Sequence, residues 1–176
     1  MSEIKIETPL NLDKIKDLKA GDRVYLTGTI YTARDAAHER LVNQIENKEN
    51  VPFKIQNATI YYVGPCPAKP GEVIGSAGPT TSYRMDKYTP LLLDKGLKGM
   101  IGKGLRNEKV IDSMIENKAI YFAAIGGAGA LISSCIKESR IIAYPELGAE
   151  AIRELYVENF PLIVAIDSKG NNLYNR

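Results

Sequence analysis

Apolar positions along this chain change their period at turn residues, and each change marks a new element. Val24, Tyr25, Thr27, Thr29, Ile30 and Tyr31 form a β-branched and aromatic run that predicts a strand over 23–31, after a turn at Gly21 and Asp22. In the segment TARDAAHERL that follows, the spacing becomes helical: Ala36, Ala37, Leu41, Val42 and Ile45 share one stripe. Ahead of that strand, Ile4, Ile6, Leu10, Leu12, Ile15 and Leu18 predict a short strand and a helical turn. Further strands are expected at 58–63 and 98–101, and a helix at 108–117 with Val110, Ile111, Met114 and Ile115 facing inward. AIYFAAIGGAGALISSCI reads as a strand, a glycine turn and a helix, and 152–157 and 161–166 read as two more strands before a turn at Asp167 and Gly170. Strands alternating with helices predict an α/β fold, and the strand-rich ends argue against a strictly alternating sheet.

The stretch 75–104 departs from this pattern and draws the chemistry to itself. Gly75, Ala77, Gly78 and Pro79 allow a sharp turn and close approach, and Thr80 and Thr81 follow. Met85, Tyr88, Leu91 and Leu92 then recur at helical spacing, which predicts a helix from Ser82 to a stop at Gly96 with Arg84 in its first turn. A cation there opposes the helix dipole, so the spacing predicts an anion held between Arg84 and free backbone N–H groups. The competing reading gives either threonine the ordinary work of a helix cap. Arg34, Asp35 and the single histidine, His38, cluster at another strand-to-helix junction, with Arg34 and His38 four apart on one face. Lys103 sits between two glycines at a third. Two arginines suit a dicarboxylate, because each guanidinium can grip a carboxylate through two parallel hydrogen bonds.

Composition narrows the possibilities. The 176 residues fit one domain, 1–176, and 44% apolar with 25% charged residues is an ordinary soluble composition. With 23 basic against 21 acidic residues, the net charge of +2 leaves no footprint for nucleic acid. Cys66 and Cys135 cannot build a disulfide framework, and neither has metal-ligand spacing nearby, so both are expected as free thiols with no metal on this chain. The segment MSEIKIETPL lacks a signal-peptide pattern and the longest apolar run is too short to span a bilayer, which predicts a cytoplasmic protein with no membrane contact. The bend GPCPAKPG should be stiff because its prolines pre-set φ.

Two further motifs fail. GLKGMIGKG is not a phosphate loop: Leu97 stands where the first glycine belongs, and Gly104 replaces the magnesium-binding hydroxyl after the lysine. GGAGA has Ile132 at the third glycine position of a dinucleotide fingerprint. No serine or cysteine has a nucleophile context beside His38, and a lone histidine at a helix start is more often a structural donor or acceptor.

The segments GTIYTARDAAHERL, IGSAGPTTSYRMDKYTP, GMIGKG and FPLIVAIDSKGN resemble the beta subunit, or C-terminal half, of class I iron-sulfur fumarate hydratases and the related L(+)-tartrate dehydratases. The resemblance covers nearly the whole chain and implies a swivelling-type β/β/α domain with a mixed sheet. It implies a partner alpha subunit whose three cysteines bind a four-iron four-sulfur cluster, an active site between the two units, and a homo-oligomeric contact between beta subunits. It further implies that Arg34, Arg84 and Lys103 hold the substrate carboxylates, that Thr80 is the proton-transfer residue, and that Asp35 and His38 support them. The substrate expected is fumarate, in reversible hydration to (S)-malate. Tartrate is the alternative within the family, and a non-catalytic swivelling module that binds an anion or a partner is the alternative outside it.

Overall fold

The computed structural model describes residues 3–125 and 129–175. Its elements run β1 (Ile4–Glu7), α1 (Leu12–Ile15), β2 (Arg23–Thr32), α2 (Asp35–Glu46), β3 (Thr59–Tyr61), α3 (Thr89–Asp94), β4 (Gly99–Gly102), α4 (Glu108–Asn117), β5 (Ile120–Ala124), α5 (Gly129–Ser133), β6 (Ile136–Ala143) and β7 (Ile152–Ile166). The sheet order is β1-β2-β3-β4-β5-β7-β6, and a second pairing of β2 with β7 closes β2, β3, β4, β5 and β7 into a ring. β1 through β5 run parallel, while β7 is antiparallel to β2, β5 and β6. The result is a mixed-sheet, barrel-like swivelling β/β/α domain, as the resemblance implied.

Alternating side chains divide the core in two, as the two-residue period of a strand requires. Tyr61, Ile101, Ile120, Phe122, Leu162 and Val164 belong to the cluster inside the ring, which Leu10, Ile15 and Leu18 around α1 extend. Their neighbours Ile60, Tyr62, Met100, Tyr121 and Ala165 face the other way, onto Leu41 of α2, Leu92 and Leu93 of α3, and Val110 and Met114 of α4. Leu41 is fully buried, so Leu41→Ala would cost about 2–5 kcal/mol through lost contacts and the cavity left behind.

Several expectations need correction. The helix expected from Ser82 to Gly96 is broken into a single 3-10 turn, Ser82–Met85, and the short α3. Pro90 explains the break: it lacks an N–H and sits in the first turn of α3, where that costs nothing. Gly96 does end α3, with φ of +101°. The two strands expected at the chain's end are one, β7, with a bulge where Glu158 and Asn159 together oppose Thr27. Asn159 takes φ of +50° there, which is why the pattern looked interrupted. The helix expected to reach Ile136 stops at Ser133, so Cys135 lies beyond it and β6 follows. On α4, Val110 and Met114 are buried, but Ile115 is 42% exposed. The centre of the glycine turn in GGAGA, 126–128, lies outside the described residues.

Candidate active site

The strand directions bring the candidate residues to one end of the sheet. Arg34 follows β2, Thr80 belongs to the long connection after β3, and Lys103 follows β4. All are parallel strands, so these junctions lie at their carboxyl ends, where open α/β sheets hold ligands. A groove of about 760 Å³ lies at the opposite end among Lys16, Lys19, Asp167 and Lys169, and none of the candidate residues lines it.

Arg34 is the N-cap residue of α2 and contributes no side-chain cap. The N–H of Ala36 instead donates to Glu150 Oε1 at 3.1 Å, so a carboxylate 114 residues away closes the helix start. The Arg34 side chain passes over Gly64: a Cβ there would stand 2.5 Å from Nη1 and 2.9 Å from Cδ. Its Nε is buried and has no hydrogen-bond partner among the described residues. His38 is fully buried, and its Nδ1 lies 2.8 Å from the carbonyl of Arg34. A carbonyl only accepts, so Nδ1 carries the proton and the lone pair of Nε2 has no partner among the described residues. Burial is the main reason its pKa falls to about 4; the backbone bond to Arg34 works in the opposite direction, and the charge of Arg106 adds to the fall. The ring packs edge-on to Tyr62 at 5.5 Å and against Tyr88 at 5.8 Å. His38 is thus a neutral anchor for the carbonyl of Arg34.

At the second junction the anion expected beside Arg84 is a side chain of the protein itself. Arg84 Nη2 donates to Asp35 Oδ2 at 2.7 Å, which joins the 82–85 turn to the start of α2. Both side chains are partly exposed (45% and 32%), so the pair is worth only about 0–1 kcal/mol. It uses one of five guanidinium N–H donors, and the guanidinium makes no other hydrogen bond among the described residues. Neither threonine is a helix cap. Thr81 occupies the N-cap position of the 3-10 turn without a side-chain bond, and Thr80 gives its backbone N–H to the carbonyl of Tyr62 at 2.7 Å. The Thr80 hydroxyl has no hydrogen-bond partner among the described residues.

Lys103 is held by its backbone. Thr81 and Lys103 form a parallel bridge, Ser82 N–H donates to the carbonyl of Lys103 at 2.9 Å, and Lys103 N–H donates to Ser82 Oγ at 3.0 Å. Gly102 makes this clamp possible, since a Cβ there would meet Ser82 Oγ at 2.0 Å and Tyr62 Cδ2 at 2.8 Å. The phenol oxygen of Tyr121 lies 2.7 Å from Ser82 Oγ and 2.8 Å from the carbonyl of Gly104. Burial raises its pKa and keeps it a hydrogen-bond donor. Lys103 is exposed and makes no ion pair among the described residues.

Beneath these residues lies a buried charged pair that periodicity does not single out. Arg106 Nε donates to Asp86 Oδ1 at 2.7 Å, and the two side chains are 0% and 5% exposed. The guanidinium carbon lies over the rings of Tyr62 and Tyr121, 5.2 and 4.8 Å from their centroids. Burial alone would lower its pKa, but Tyr62, Asp86 and Tyr121, with the hydrogen bond to Asp86, together outweigh burial and raise it, so Arg106 stays cationic. The only signal in sequence was an arginine two residues beyond the GKG turn, and nothing local marks it as buried. A cleft of about 510 Å³ opens beside Arg84, lined by Tyr83, Lys87, Pro90, Asn107 and Lys109 among others.

Among the described residues, no three His, Cys, Asp or Glu side chains converge to hold a metal ion. Cys66 is exposed in the proline bend and Cys135 is half-buried beyond α5, so these residues do not fit a cluster. Also among the described residues, no helix is long and apolar enough to cross a membrane.

Comparison with known proteins places the chain in a family. The family model described as "Fumarase C-terminus" matches residues 1–176. Fumarate hydratase 2 of Leishmania major is 35% identical over 99% of this chain, and the anaerobic class I fumarate hydratase of Escherichia coli is 38% identical over 94%. The chain spans only about a third of those relatives, 32% and 30%. By contrast, it spans 85% of the "Putative L(+)-tartrate dehydratase subunit beta" of Methanocaldococcus jannaschii, at 40% identity over 91% of its own length. With that match along its whole length, and cationic side chains gathered at the carboxyl ends of its parallel strands, the chain belongs to the Fumarase C-terminus family of class I fumarate hydratases and tartrate dehydratase beta subunits.

Proposed function

We propose that this chain is the beta subunit of an iron-sulfur-dependent fumarate hydratase. It would hydrate fumarate reversibly to (S)-malate at an active site shared with an alpha subunit. The observation that carries this reading is the set of cations at one sheet end, where Thr80 also stands: Arg34 with a buried Nε that has no partner among the described residues, Arg84 paired through one nitrogen to Asp35, and Lys103 with no ion pair among the described residues. The four-iron four-sulfur cluster would belong to the alpha subunit, because the thiols described here do not fit one. The lengths of the relatives support a two-unit arrangement, since this chain corresponds to about a third of the fumarate hydratases but to most of the separate beta subunit.

The work of this chain's own residues follows from the chemistry. Removing a proton from the carbon beside a carboxylate leaves an aci-carboxylate with extra negative charge on its oxygens. Arg84 and Lys103 aimed at that carboxylate bind it more strongly as charge develops, so they raise the rate as well as the affinity. Arg34 would hold the other carboxylate and fix the orientation of the substrate. The Thr80 hydroxyl would move the proton at carbon, and because a neutral hydroxyl is a weak base it needs a group to tune it. Asp35 orients Arg84, and His38 holds the carbonyl of Arg34.

A second reading, L(+)-tartrate dehydration, has the 40% identity to the Methanocaldococcus protein in its favour. The deciding experiment reconstitutes the chain anaerobically with its cluster-bearing partner and assays malate and L-tartrate. Malate turnover that needs both units and is lost on exposure to oxygen is expected. Selective turnover of L-tartrate would favour the second reading. Oxygen-insensitive malate dehydration by this chain alone would refute the half-enzyme assignment.

A further inference from the structure

Arg106 and Asp86 are both removed from water, and such a pair is a poor investment in stability alone. Its desolvation can exceed its Coulombic gain, and well-packed apolar residues of similar volume often replace one without loss. What distinguishes this pair is the set of parts it joins. Beyond Asp86, Arg106 Nη2 donates to Thr89 Oγ1 at 3.1 Å and to the hydroxyl of Tyr62 at 3.2 Å. Asp86 uses its second oxygen to accept the N–H of Asn107 at 2.8 Å, closing the loop after β4 against the end of the 82–85 turn.

Tyr62, Asp86 and Tyr121 connect this group to the candidate site residues. The carbonyl of Tyr62 holds the N–H of Thr80. Asp86 ends the turn that carries Arg84. Tyr121, whose ring also packs against the guanidinium, is hydrogen-bonded to Ser82, and Ser82 holds the backbone of Lys103 in both directions. One planar group therefore links, through these partners, the two connections, after β3 and after β4, at which Thr80, Arg84 and Lys103 stand. Only a guanidinium has the rigid fork and flat faces for this; a lysine could supply the charge but neither the directions nor the stacking.

We infer that Arg106, paired with Asp86, is a positioning residue that sets Thr80, Arg84 and Lys103 in register with one another. The inference rests on the hydro-lyase reading of the site. A catalytic constellation misplaced by an ångström loses much of its rate, so the effect should appear in turnover more than in stability.

The test compares the wild-type complex with the double variant Asp86→Leu/Arg106→Met, which removes both charges, and with Arg106→Lys. We expect the double variant to melt close to wild type, yet to lose at least about tenfold in kcat/KM for malate at a temperature where it is fully folded. Arg106→Lys should lose activity too, because it keeps the charge without the fork. The amide protons of Thr80 and Lys103 should exchange with solvent at least about tenfold faster in the double variant, reporting loosened contacts without reference to activity. A folded double variant with wild-type kcat/KM and unchanged exchange overturns the inference. If the double variant does not fold, unchanged activity and exchange in Arg106→Lys overturn it equally. An inactive wild-type complex would refute the hydro-lyase reading instead, and the exchange comparison would still decide the role of Arg106.

Discussion

Substituting His38 by Asn should remove a pH dependence from the stability of this protein. The folded state holds His38 neutral with a pKa of about 4, against 6.5 for an unperturbed histidine. As pH falls, the unfolded chain takes up the proton first, so stability rises with pH across this window. The contribution is fully present above about pH 6.5 and is lost as pH falls toward 4, where the folded state begins to protonate as well. Each pH unit of separation is worth about 1.36 kcal/mol, so the full effect is about 3 kcal/mol, of which about 2 kcal/mol falls between pH 7 and pH 5. For a chain of this size that corresponds to a Tm lower by about 4–8 °C at pH 5. Asparagine keeps an N–H that can donate to the carbonyl of Arg34 and cannot titrate. Urea denaturation of both proteins at pH 7 and pH 5 isolates the effect, because the carboxylates common to both contribute equally and cancel. Wild type should lose about 2 kcal/mol more than His38→Asn between the two conditions. Equal losses would show that His38 is not the buried neutral group described.

Arg84→Lys should lower kcat/KM for malate at least about tenfold, because the fork that serves both Asp35 and a carboxylate is lost, while Tm barely moves for a partly exposed pair; near-normal kinetics would remove Arg84 from the site. Thr80→Ala should leave Tm within a few degrees of wild type, since only its backbone N–H is engaged, while lowering kcat by about 100-fold or more. A variant that loses stability but keeps its turnover would make Thr80 purely structural. Gly102→Ala drives a methyl group into Ser82 and Tyr62 and should destabilise by about 1–3 kcal/mol in urea denaturation, with a fall in kcat as Lys103 shifts; an unperturbed midpoint would contradict the close approach described.

The sequence by itself determined the local elements and their punctuation. β2 and the start of α2 follow from β-branched residues giving way to helical spacing at Arg34, and α4 has the bounds its periodicity implies, closed by an N-cap bond from Asn107. Turn residues and cations grouped at three junctions also marked the candidate site, because loop chemistry is written in neighbouring residues. What only the tertiary structure decided is where distant segments meet. β6 and the bulged middle of β7 are strands because each lies against another strand, and their own residues alternate poorly. Arg84 finds its anion in Asp35, 49 residues away, and α2 finds its cap in Glu150, since the parallel sheet delivers those loops to one end. Arg106 in sequence is one cation among 23 basic residues. It is buried only because Tyr62, Asp86 and Tyr121 arrive from three other elements to desolvate, pair and stack it, and no local pattern carries that information.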